Sequence, residues 1–577
     1  MSPHRIERRI PLAETQFSKS LHPLLQRIYA ARQIHDDADL DNTLSALHDY
    51  RAFSNMDKAV ALLADCLEQQ QRILIIGDFD ADGATSSALG VRALRRLGAT
   101  QVDYLVPNRF EYGYGLTPEI VALAAQREPH LIITVDNGIS SLAGVQAARN
   151  AGIRVLVTDH HLPGAELPDA DAILNPNLPG DGFPSKHLAG VGVMFYLLLA
   201  LRARLRADDW FVSRGIPEPN LAEYLDIVAL GTVADLVTLD HNNRVLVSQG
   251  LARMRAGRCV PGIRALLELG KRDLKRLTAS DLGFAVAPRL NAAGRLTDMS
   301  LGIECLLTDD PERAHELAAR LDELNHERRD IEARMQEDAL RALDKLGVNA
   351  ADPELPFGLC LFNAEWHQGV VGLVASRIKD RVHRPVIAFA RAEDGTLKGS
   401  ARSVKGVHIR DALEAVSTRQ PGLIAKFGGH AMAAGLTLGA DDFKSFAEAF
   451  DVEVRRWLSA DDLAGVIHTD GELAPELFTL ETVELLRMAG PWGQGFPEPS
   501  FDGVFNLLER RIVGDKHFKM VLAEPATGLR LEAIAFNQNG KHLPPDCRQV
   551  RIVYRPDINE YRGGKRMQLL VDAIEPM

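Results

Sequence analysis

Three aspartates stand at alternate positions in the motif GDFDADG, which covers residues 77–83. The apolar run 73–76 precedes the motif and predicts a strand buried on both faces, and the start of a helix follows it. Asp78, Asp80 and Asp82 therefore lie where a strand ends and a helix begins. Carboxylates this close repel each other, and a divalent cation would keep them ionised. Because oxygen ligands suit magnesium or manganese rather than zinc, the motif predicts a site for one of these two metals.

The pattern around the motif predicts a parallel sheet that is covered by helices. Apolar runs alternate with helical segments, which is typical of β-α-β units. The further strands are expected at 102–106, 131–135 and 154–158, and the helices between them at 117–126 and 141–151. In such sheets, functional groups gather beyond the carboxyl ends of the strands.

Side chains that can bind a metal follow two more of these strands. Asp136 comes directly after the run 131–135, and His160 and His161 come after the run 154–158. The carboxyl ends of parallel strands meet at one edge of the sheet, so these side chains should converge with the three aspartates. An acidic turn that caps a helix would explain one aspartate of the motif, but it does not explain this convergence.

A further apolar run, 226–235, also leads to an acidic residue. Asp235 ends this run, as the other candidate ligands do, and we expect it to join the metal site. Asp226 begins the run and is interpreted as a residue on a helix surface.

Composition limits the class of protein and its location. The chain has 577 residues, which predicts three or four domains, and its 46% hydrophobic and 25% charged residues are typical of a soluble globular protein. The net charge of −12 argues against a basic coat but not against a local nucleic-acid site. Five scattered cysteines fit a reducing compartment. With no apolar signal segment and no apolar helix of spanning length, we expect a cytoplasmic protein that does not contact membranes.

A long helix is predicted in the middle of the chain. Asp310 is a suitable N-cap, Pro311 suits the first helical position, and Gly347 would end the helix. Unbroken, it would have roughly 36 residues and span about 54 Å. Its apolar stripe includes Arg328 and lacks sustained heptads, which favours a strut between domains over a coiled coil.

Two later regions have their own patterns. The segments 398–403 and 426–435 contain paired glycines, hydroxyls and basic side chains, which suit either ordinary turns or an anion site. The last hundred residues are rich in strand patterns, at 517–522, 529–536, 550–554 and 567–574, with a basic turn at 561–566. These features predict a small barrel of the OB type that binds single strands.

The motifs GDFDADG, VDNG, TDHH and VADLV occur here in the order found in the DHH phosphoesterase superfamily, which the chain resembles. The superfamily is named after the triplet found here as Asp159-His160-His161. In length and motif order, the chain is similar to the single-strand-specific exonucleases of this superfamily. Segments at 107–110, 113–115 and 288–295 support the resemblance, and the segments 398–403 and 426–435 resemble the SxR and GGH signatures of the DHH-associated domain.

The resemblance implies an α/β fold with a parallel-sheet DHH catalytic domain and a DHH-associated α/β domain, joined by a long helix and followed by a C-terminal OB barrel. The expected ranges are a helical N-terminal extension at 1–70, the catalytic domain at 71–305, the connecting helix at 306–348, the DHH-associated domain at 349–462 and the barrel at 463–577.

The resemblance also assigns roles to residues. Two Mn²⁺ or Mg²⁺ ions would be held by Asp78, Asp80, Asp82, Asp136, His160 and Asp235. Asp136 would bridge the ions, Asp82 would serve catalysis beside it, and His161 would contact the reacting phosphate. The expected substrate-binding residues are Arg109, Arg289, Asn291, Arg295, Ser400, Arg402, Gly428, Gly429 and His430.

The implied activity is stepwise release of 5′-mononucleotides from single-stranded DNA in the 5′→3′ direction, in repair and recombination. Single-strand-binding protein and a helicase are the protein partners that the resemblance implies. Two alternatives stay open: a small-substrate phosphodiesterase of the nanoRNase or cyclic-dinucleotide type, and a catalytically inactive DNA-binding relative. The inactive relative would have lost metal ligands, and this sequence retains them.

Overall fold

The structure, a computed structural model, describes residues 5–107, 115–345, 355–459, 461–463, 465–514, 517–538, 540, 543–560 and 564–577. The chain divides into two compact units. The large unit contains Ile10–Asn325 and Asp470–Met577, and the small unit contains Met1–Arg9 and His326–Thr469.

The large unit is built on a parallel five-stranded sheet, here called the catalytic sheet. In spatial order its strands are Val102–Leu105, Ile73–Gly77, Leu131–Val135, Arg154–Thr158 and Ala172–Leu174. The three central strands are buried along almost their whole length, as their continuous apolar runs require. The predicted parallel α/β sheet is confirmed, and the short strand Ala172–Leu174 adds a fifth member.

Helices pack on this sheet and extend the large unit beyond it. They are Pro23–Ala30, Met56–Glu68, Ala81–Arg96, Pro118–Ala125, Leu142–Asn150, Gly190–Ala207, Trp210–Arg214, Leu225–Ala234, His241–Arg255, Pro261–Leu269, Ala279–Asp281, Ala287–Leu296 and Ser300–Leu307. The apolar helix Gly190–Ala207 is buried in the core of the unit. Among the described residues, no helix combines the length and apolarity that crossing a bilayer requires.

The apolar run that ends at Asp235 is a helix, Leu225–Ala234, unlike the strands that precede the other candidate ligands. All but its last two residues are buried, and periodicity cannot separate a helix from a strand when every face is apolar. The interpretation of Asp226 as a surface residue is wrong. Its side chain is fully buried, and its carboxylate accepts the backbone N–H of Val260 at 2.7 Å.

The predicted long helix is present as Pro311–Lys345. The Asp310 carboxylate accepts the backbone N–H of Glu312 at 3.0 Å, as expected of an N-cap. The boundary between the two units falls inside this helix. Leu317, Leu321 and Leu324 belong to the core of the large unit, and Met335 belongs to a core of the small unit.

The small unit contains a five-stranded mixed sheet with helices Val371–Val382, Ile409–Arg419 and Phe443–Val454. In spatial order its strands are Leu359–Phe362, Val386–Arg391, Leu397–Arg402, Ala433–Leu438 and Lys426–Gly429. A separate parallel pair joins Arg5–Arg8 to Val466–Thr469. The first 70 residues are therefore not helical throughout, because their first strand belongs to this unit.

The C-terminal segment forms a closed five-stranded barrel, which confirms the predicted barrel fold. Around the barrel, its strands are Phe501–Val513, His517–Ala523, Arg530–Ala535, Arg566–Pro576 and Gln549–Asn559. The helix Leu480–Met488 precedes it. Its buried side chains belong to the same apolar core as those of the catalytic sheet. The segment 1–70 and the other predicted domain boundaries remain predictions.

Candidate active site

The aspartates of the GDFDADG motif lie at the junction that the sequence predicts. Asp80 caps the helix Ala81–Arg96, and its Oδ1 accepts the backbone N–H groups of Asp82 and Gly83 at 2.9 and 3.0 Å. Asp78 lies directly after the strand and is 6% exposed. One aspartate of the motif is thus the cap of a helix, and the other two need a different explanation.

Asp82 is fixed by the start of another helix. Its two carboxylate oxygens accept the backbone N–H groups of Gly190 and Val191 at 2.6 and 3.0 Å. The positive end of the dipole of helix Gly190–Ala207 thus faces this carboxylate. A Cβ at Gly190 would lie 2.7 Å from Cβ of Asp136, so only glycine permits this close approach.

Asp136 and the two histidines meet at the same edge. Asp136 has φ +60°, a left-handed conformation in the turn that follows its strand. Nε2 of His160 lies 3.1 Å from Oδ1 of Asp136 and 3.4 Å from Oδ2 of Asp235. His161 Nδ1 lies 4.0 Å from the same Asp136 oxygen. The structure therefore brings together side chains that are distant in sequence, such as Asp136, His160 and Asp235.

Asp159, the first residue of the DHH triplet, is a positioning residue that sequence reasoning named in the motif but left without a role. It is 1% exposed. Its Oδ2 accepts the backbone N–H of Ile139 at 2.9 Å, and its Oδ1 lies 2.7 Å from Nδ1 of His161. Asn175 and Asn177 were also missed, and their side-chain amides donate to the backbone carbonyls of His161 and His160. The only available signal was the short polar segment after the fifth strand.

Asp159 and His161 each stabilise the charged form of the other. Burial alone would lower the pKa of His161, but the hydrogen bond to Asp159 and the charge of Asp159 outweigh burial and raise this pKa to about 8. Burial alone would raise the pKa of Asp159, but the same hydrogen bond lowers it to about 2. His161 is therefore largely protonated at neutral pH in the metal-free protein, with both ring nitrogens as donors.

Three other carboxylates of the site have raised pKa values. Burial, followed by the charge of Asp80, raises the pKa of Asp82 to about 7. Burial and the charges of Asp82 and Asp80 raise the pKa of both Asp136 and Asp235 well above the usual range. Clusters of like charge that are this buried require a cation to stay ionised at neutral pH.

The donor set fits a divalent metal. Three groups have ligand atoms within 4.8 Å of one another: Asp78, Asp80 and Asp136; Asp136, His160 and His161; and Asp82, His160 and Asp235. Within the part of the chain that the structure describes, the buried Oδ2 of Asp235 has no hydrogen-bond donor. Carboxylate oxygens, alone or with one or two imidazoles, suit Mn²⁺ or Mg²⁺. The groups adjoin one another, because they share Asp136 and His160.

The helix Ala287–Leu296 carries three of the predicted substrate-binding residues. The side chain of Asn291 accepts the backbone N–H of Ala81 at 2.8 Å, which holds this helix against the aspartate motif. Arg289 pairs with Asp322 at 2.8 Å and is largely buried, and Arg295 lies half-buried in the last turn. Arg109 lies outside the described residues.

The other predicted substrate-binding residues lie on the sheet of the small unit. Ser400 and Arg402 belong to strand Leu397–Arg402, and Gly428 and Gly429 belong to strand Lys426–Gly429, rather than to turns. His430 directly follows this strand and is exposed.

Strand register places several of these residues on one face, here called the glycine face. Ser400 is paired with Gly435, and Gly435 with Gly428, so the three point to the same side. A Cβ at Gly428 would have no neighbour within 4 Å. The paired glycines leave the backbone of two strands open to a ligand.

Two lysines on the glycine face were missed from the sequence. Lys398 and Lys426 both pair with Thr437, which lies two residues after Gly435 on the central strand of the three. Along its own strand, Ser400 has Lys398 two residues before it and Arg402 two residues after it. The alternation Lys398, Ser400, Arg402 along one strand was the signal that could have revealed them. Basic side chains thus flank an open strip of backbone, which is suited to an anionic ligand.

Family models match three parts of the chain. The DHH family N-terminal domain matches residues 72–232, the DHHA1 domain matches 356–456, and the RecJ OB domain matches 469–573. The first match covers the catalytic sheet and all the candidate ligands except Asp235. These ligands lie at the carboxyl edge of the sheet, here called the metal-binding edge. The second match covers the glycine face. Fold and site together define a DHH phosphoesterase, a metal-dependent hydrolase.

Relatives that match over nearly the full length show which family within this class the chain belongs to. The single-stranded-DNA-specific exonuclease RecJ of Dickeya dadantii is 56% identical over 571 residues, which cover 99% of each chain. The crystal structure of RecJ from Thermus thermophilus in complex with Mn²⁺ has a TM-score of 0.81 and 30% identity, and covers 99% of this chain and 80% of that one. The Mg²⁺ complex of the same protein has a TM-score of 0.75 and 29% identity, and covers 99% and 79%. The chain belongs to the RecJ family.

Proposed function

We propose that this chain is a single-stranded-DNA-specific exonuclease that releases 5′-mononucleotides in the 5′→3′ direction. The observation that carries the proposal is the group of buried carboxylates with raised pKa values, beside two imidazoles, at one edge of the catalytic sheet. Family membership supplies the substrate class, because the relatives are named for single-stranded DNA.

The ligands in this proposal are those predicted from the sequence. Two Mn²⁺ or Mg²⁺ ions would be held by Asp78, Asp80, Asp82, Asp136, His160 and Asp235. Asp136 and His160 each belong to two of the three groups, and the family resemblance favours the Asp136 carboxylate as the shared ligand. Such ions lower the pKa of the attacking water and stabilise negative charge on the reacting phosphate.

His161 would act beside the ions, and Asp82 would act as one of their ligands. Since Asp159 holds Nδ1 of His161 and raises its pKa to about 8, the imidazolium can donate from its other nitrogen to a phosphate oxygen. Asp82 is held rigidly by two backbone N–H groups, which fixes its oxygens before the substrate arrives.

The end of the strand is recognised by the glycine face. Ser400, Arg402 and Gly428 offer a hydroxyl, a guanidinium and open backbone. Gly429 and His430, the next two residues of the chain, remain proposed contacts. A terminal 5′-phosphate carries more negative charge than an internal diester, and an arginine fork can bind it bidentately. Arg289, Asn291, Arg295 and Arg109 remain proposed contacts to the DNA, although Arg289 is engaged by Asp322 in this structure.

The barrel binds the strand away from its end, and the enzyme acts in the cytoplasm during repair and recombination. Single-strand-binding protein and a helicase are its proposed partners. A helicase would supply the single strand that the enzyme requires as substrate.

The test uses purified protein and labelled DNA. The 5′-phosphorylated single strand should yield mononucleotides with Mn²⁺ or Mg²⁺, and a blunt duplex of the same sequence should not. Degradation that starts from the 3′ end would contradict the polarity. Preferential cleavage of dinucleotides or cyclic dinucleotides would support a small-substrate phosphodiesterase instead, and DNA binding without cleavage would indicate an inactive relative.

A further inference from the structure

Phe284 is an exposed aromatic residue in a segment of unusual geometry. Its side chain is 79% exposed, although the residues around it, Leu282, Ala285 and Val286, are buried. It lies in a π-helical turn, Leu282–Val286. Such turns insert one extra residue into a helix and occur frequently at functional sites. A single exposed apolar residue is ordinary, so exposure alone does not indicate a binding role, and the neighbouring residues must be considered.

The π turn leads directly into the helix that contacts the aspartate motif. Helix Ala287–Leu296 begins where the turn ends, and Asn291 accepts the N–H of Ala81. The helix lies very close to the aspartate motif, since a Cβ at Gly294 would lie 1.8 Å from the carbonyl oxygen of Phe79. Phe284 precedes Asn291 by seven residues, which is about 10 Å along a helix axis. Phe284 therefore lies about two helical turns before the residue that contacts the aspartate motif.

The same turn also packs against the helix that ends at Asp235. A Cβ at Gly283 would lie 3.4 Å from Cγ1 of Val233, two residues before this candidate ligand. The next residue, Leu236, is 71% exposed and has φ +60°, a strained conformation for leucine. Two exposed apolar side chains thus come from two packed segments. One segment ends at the candidate ligand Asp235, and the other continues into the helix that contacts the aspartate motif.

We propose that Phe284 is a stacking platform for a base of the bound single strand, with Leu236 on the adjoining segment as a second apolar contact. The proposal rests on the proposed function and names a contact that the phosphate-binding residues cannot supply. An exonuclease must accept every base, and an aromatic face does so because each base has a π face. Stacking would also hold the strand against the metal-binding edge without reading its sequence.

The first experiment compares variants on a 5′-phosphorylated single strand. Phe284→Ala should raise KM about 5- to 100-fold, the range for loss of one stacked base. Phe284→Tyr should behave like wild type, and Phe284→Leu should behave like Phe284→Ala. Val212→Ala, which truncates an 84% exposed side chain elsewhere in the large unit, is the matched control and should have no effect. Melting temperatures should be unchanged, because Phe284 is exposed.

The second experiment locates the stacked base. A single abasic site is moved through the first nucleotides of the substrate, and kcat/KM is measured for each position. One position should weaken cleavage by wild type and have no further effect in Phe284→Ala. Equal sensitivity of both proteins at every position, or a full-activity Phe284→Leu variant, would overturn the proposal.

Binding without cleavage separates this inference from the proposed function. Single strands that carry 2-aminopurine are titrated with metal-free protein, and stacking on Phe284 should quench the fluorescence at the position found by the abasic scan. Phe284→Ala should abolish this quenching. Absent cleavage with intact quenching would refute the exonuclease but not the stacking contact. Cleavage by wild type with identical quenching in the variant would refute only the stacking contact.

Discussion

The edge of the catalytic sheet and the glycine face of the small unit are opposite in character. At the edge, Asp82 and Asp136 are each 1% exposed, and backbone N–H groups or neighbouring side chains hold their oxygens. On the glycine face, Gly428 and Gly435 are exposed, and Lys398 and Arg402 lie on the same side of the sheet. The first region is buried and negative, whereas the second is open and positive.

The difference follows from what each region must bind. A small cation needs several oxygens fixed at short range. Burial raises the free-energy cost of keeping those carboxylates ionised when no cation is bound. A phosphate on a flexible strand needs access, so the backbone must be open and the charges must reach inward from the sides. Glycine therefore permits close packing at Gly190 in one region and leaves open space at Gly428 in the other.

The largest expected effect comes from Asp136→Asn. The change keeps the shape of the side chain but removes a charge that belongs to two of the three ligand groups. Loss of one such ligand costs several kcal/mol of transition-state stabilisation, so kcat should fall about 1000-fold or more. Steady-state cleavage of labelled single strands measures it, and near-normal turnover at saturating Mn²⁺ would show that the edge is not catalytic.

Asp226→Asn is the matched control for that change. Asp226 is also a buried aspartate of the large unit, but its carboxylate accepts the N–H groups of Val260 and Ile227. We expect a lower melting temperature and nearly normal kcat in the folded protein. Comparing the two variants thus separates the effect of losing a buried carboxylate from the effect of losing a carboxylate of the metal-binding edge.

A smaller effect is expected from Arg402→Ala on the glycine face. The variant should lose the preference for 5′-phosphorylated over 5′-hydroxyl ends by about ten- to a hundredfold, because a charge-assisted hydrogen bond is worth about 1.5–3 kcal/mol. The measurement is the ratio of kcat/KM on the two substrates. Arg410→Ala, at an exposed position in the same unit, should leave the ratio unchanged. An unaltered ratio in Arg402→Ala would mean that this face does not recognise the end.

The smallest effect is expected from Gly428→Val, which fills the open strip. Valine suits a strand, and a Cβ at this position meets nothing within 4 Å, so the melting temperature should not fall. The side chain would keep a phosphate from the backbone, and KM should rise about tenfold, equivalent to about 1.4 kcal/mol. A normal KM with a normal melting temperature would show that the strip does not contact substrate.

The sequence predicted which side chains converge at the edge of the catalytic sheet better than which side chains share the glycine face, for a physical reason. Strand ends in a parallel sheet converge by topology, so Asp136 and His160 could be placed together from one strand pattern. The face depends on antiparallel register between strands that are distant in sequence, and Gly435 could not be paired with Ser400 from local patterns. Lys398 was overlooked for this reason.

Side-chain burial was a second feature that the sequence could not predict. Asp226 and Asp235 stand at the two ends of the same apolar run, but only tertiary contacts show that one accepts backbone N–H groups and the other faces the metal-binding edge. The strand Phe501–Val513 was missed because polar residues interrupt its alternation and a β-bulge follows Leu507.

The most direct test of the central claim is a count of bound metal. Wild-type protein is stripped with chelator, dialysed against Mn²⁺ and analysed for manganese per chain, beside Asp136→Asn and Asp226→Asn. Two ions are expected in wild type and in Asp226→Asn, with at least one lost in Asp136→Asn. No stoichiometric manganese in wild type, or the same two ions in Asp136→Asn, would contradict it.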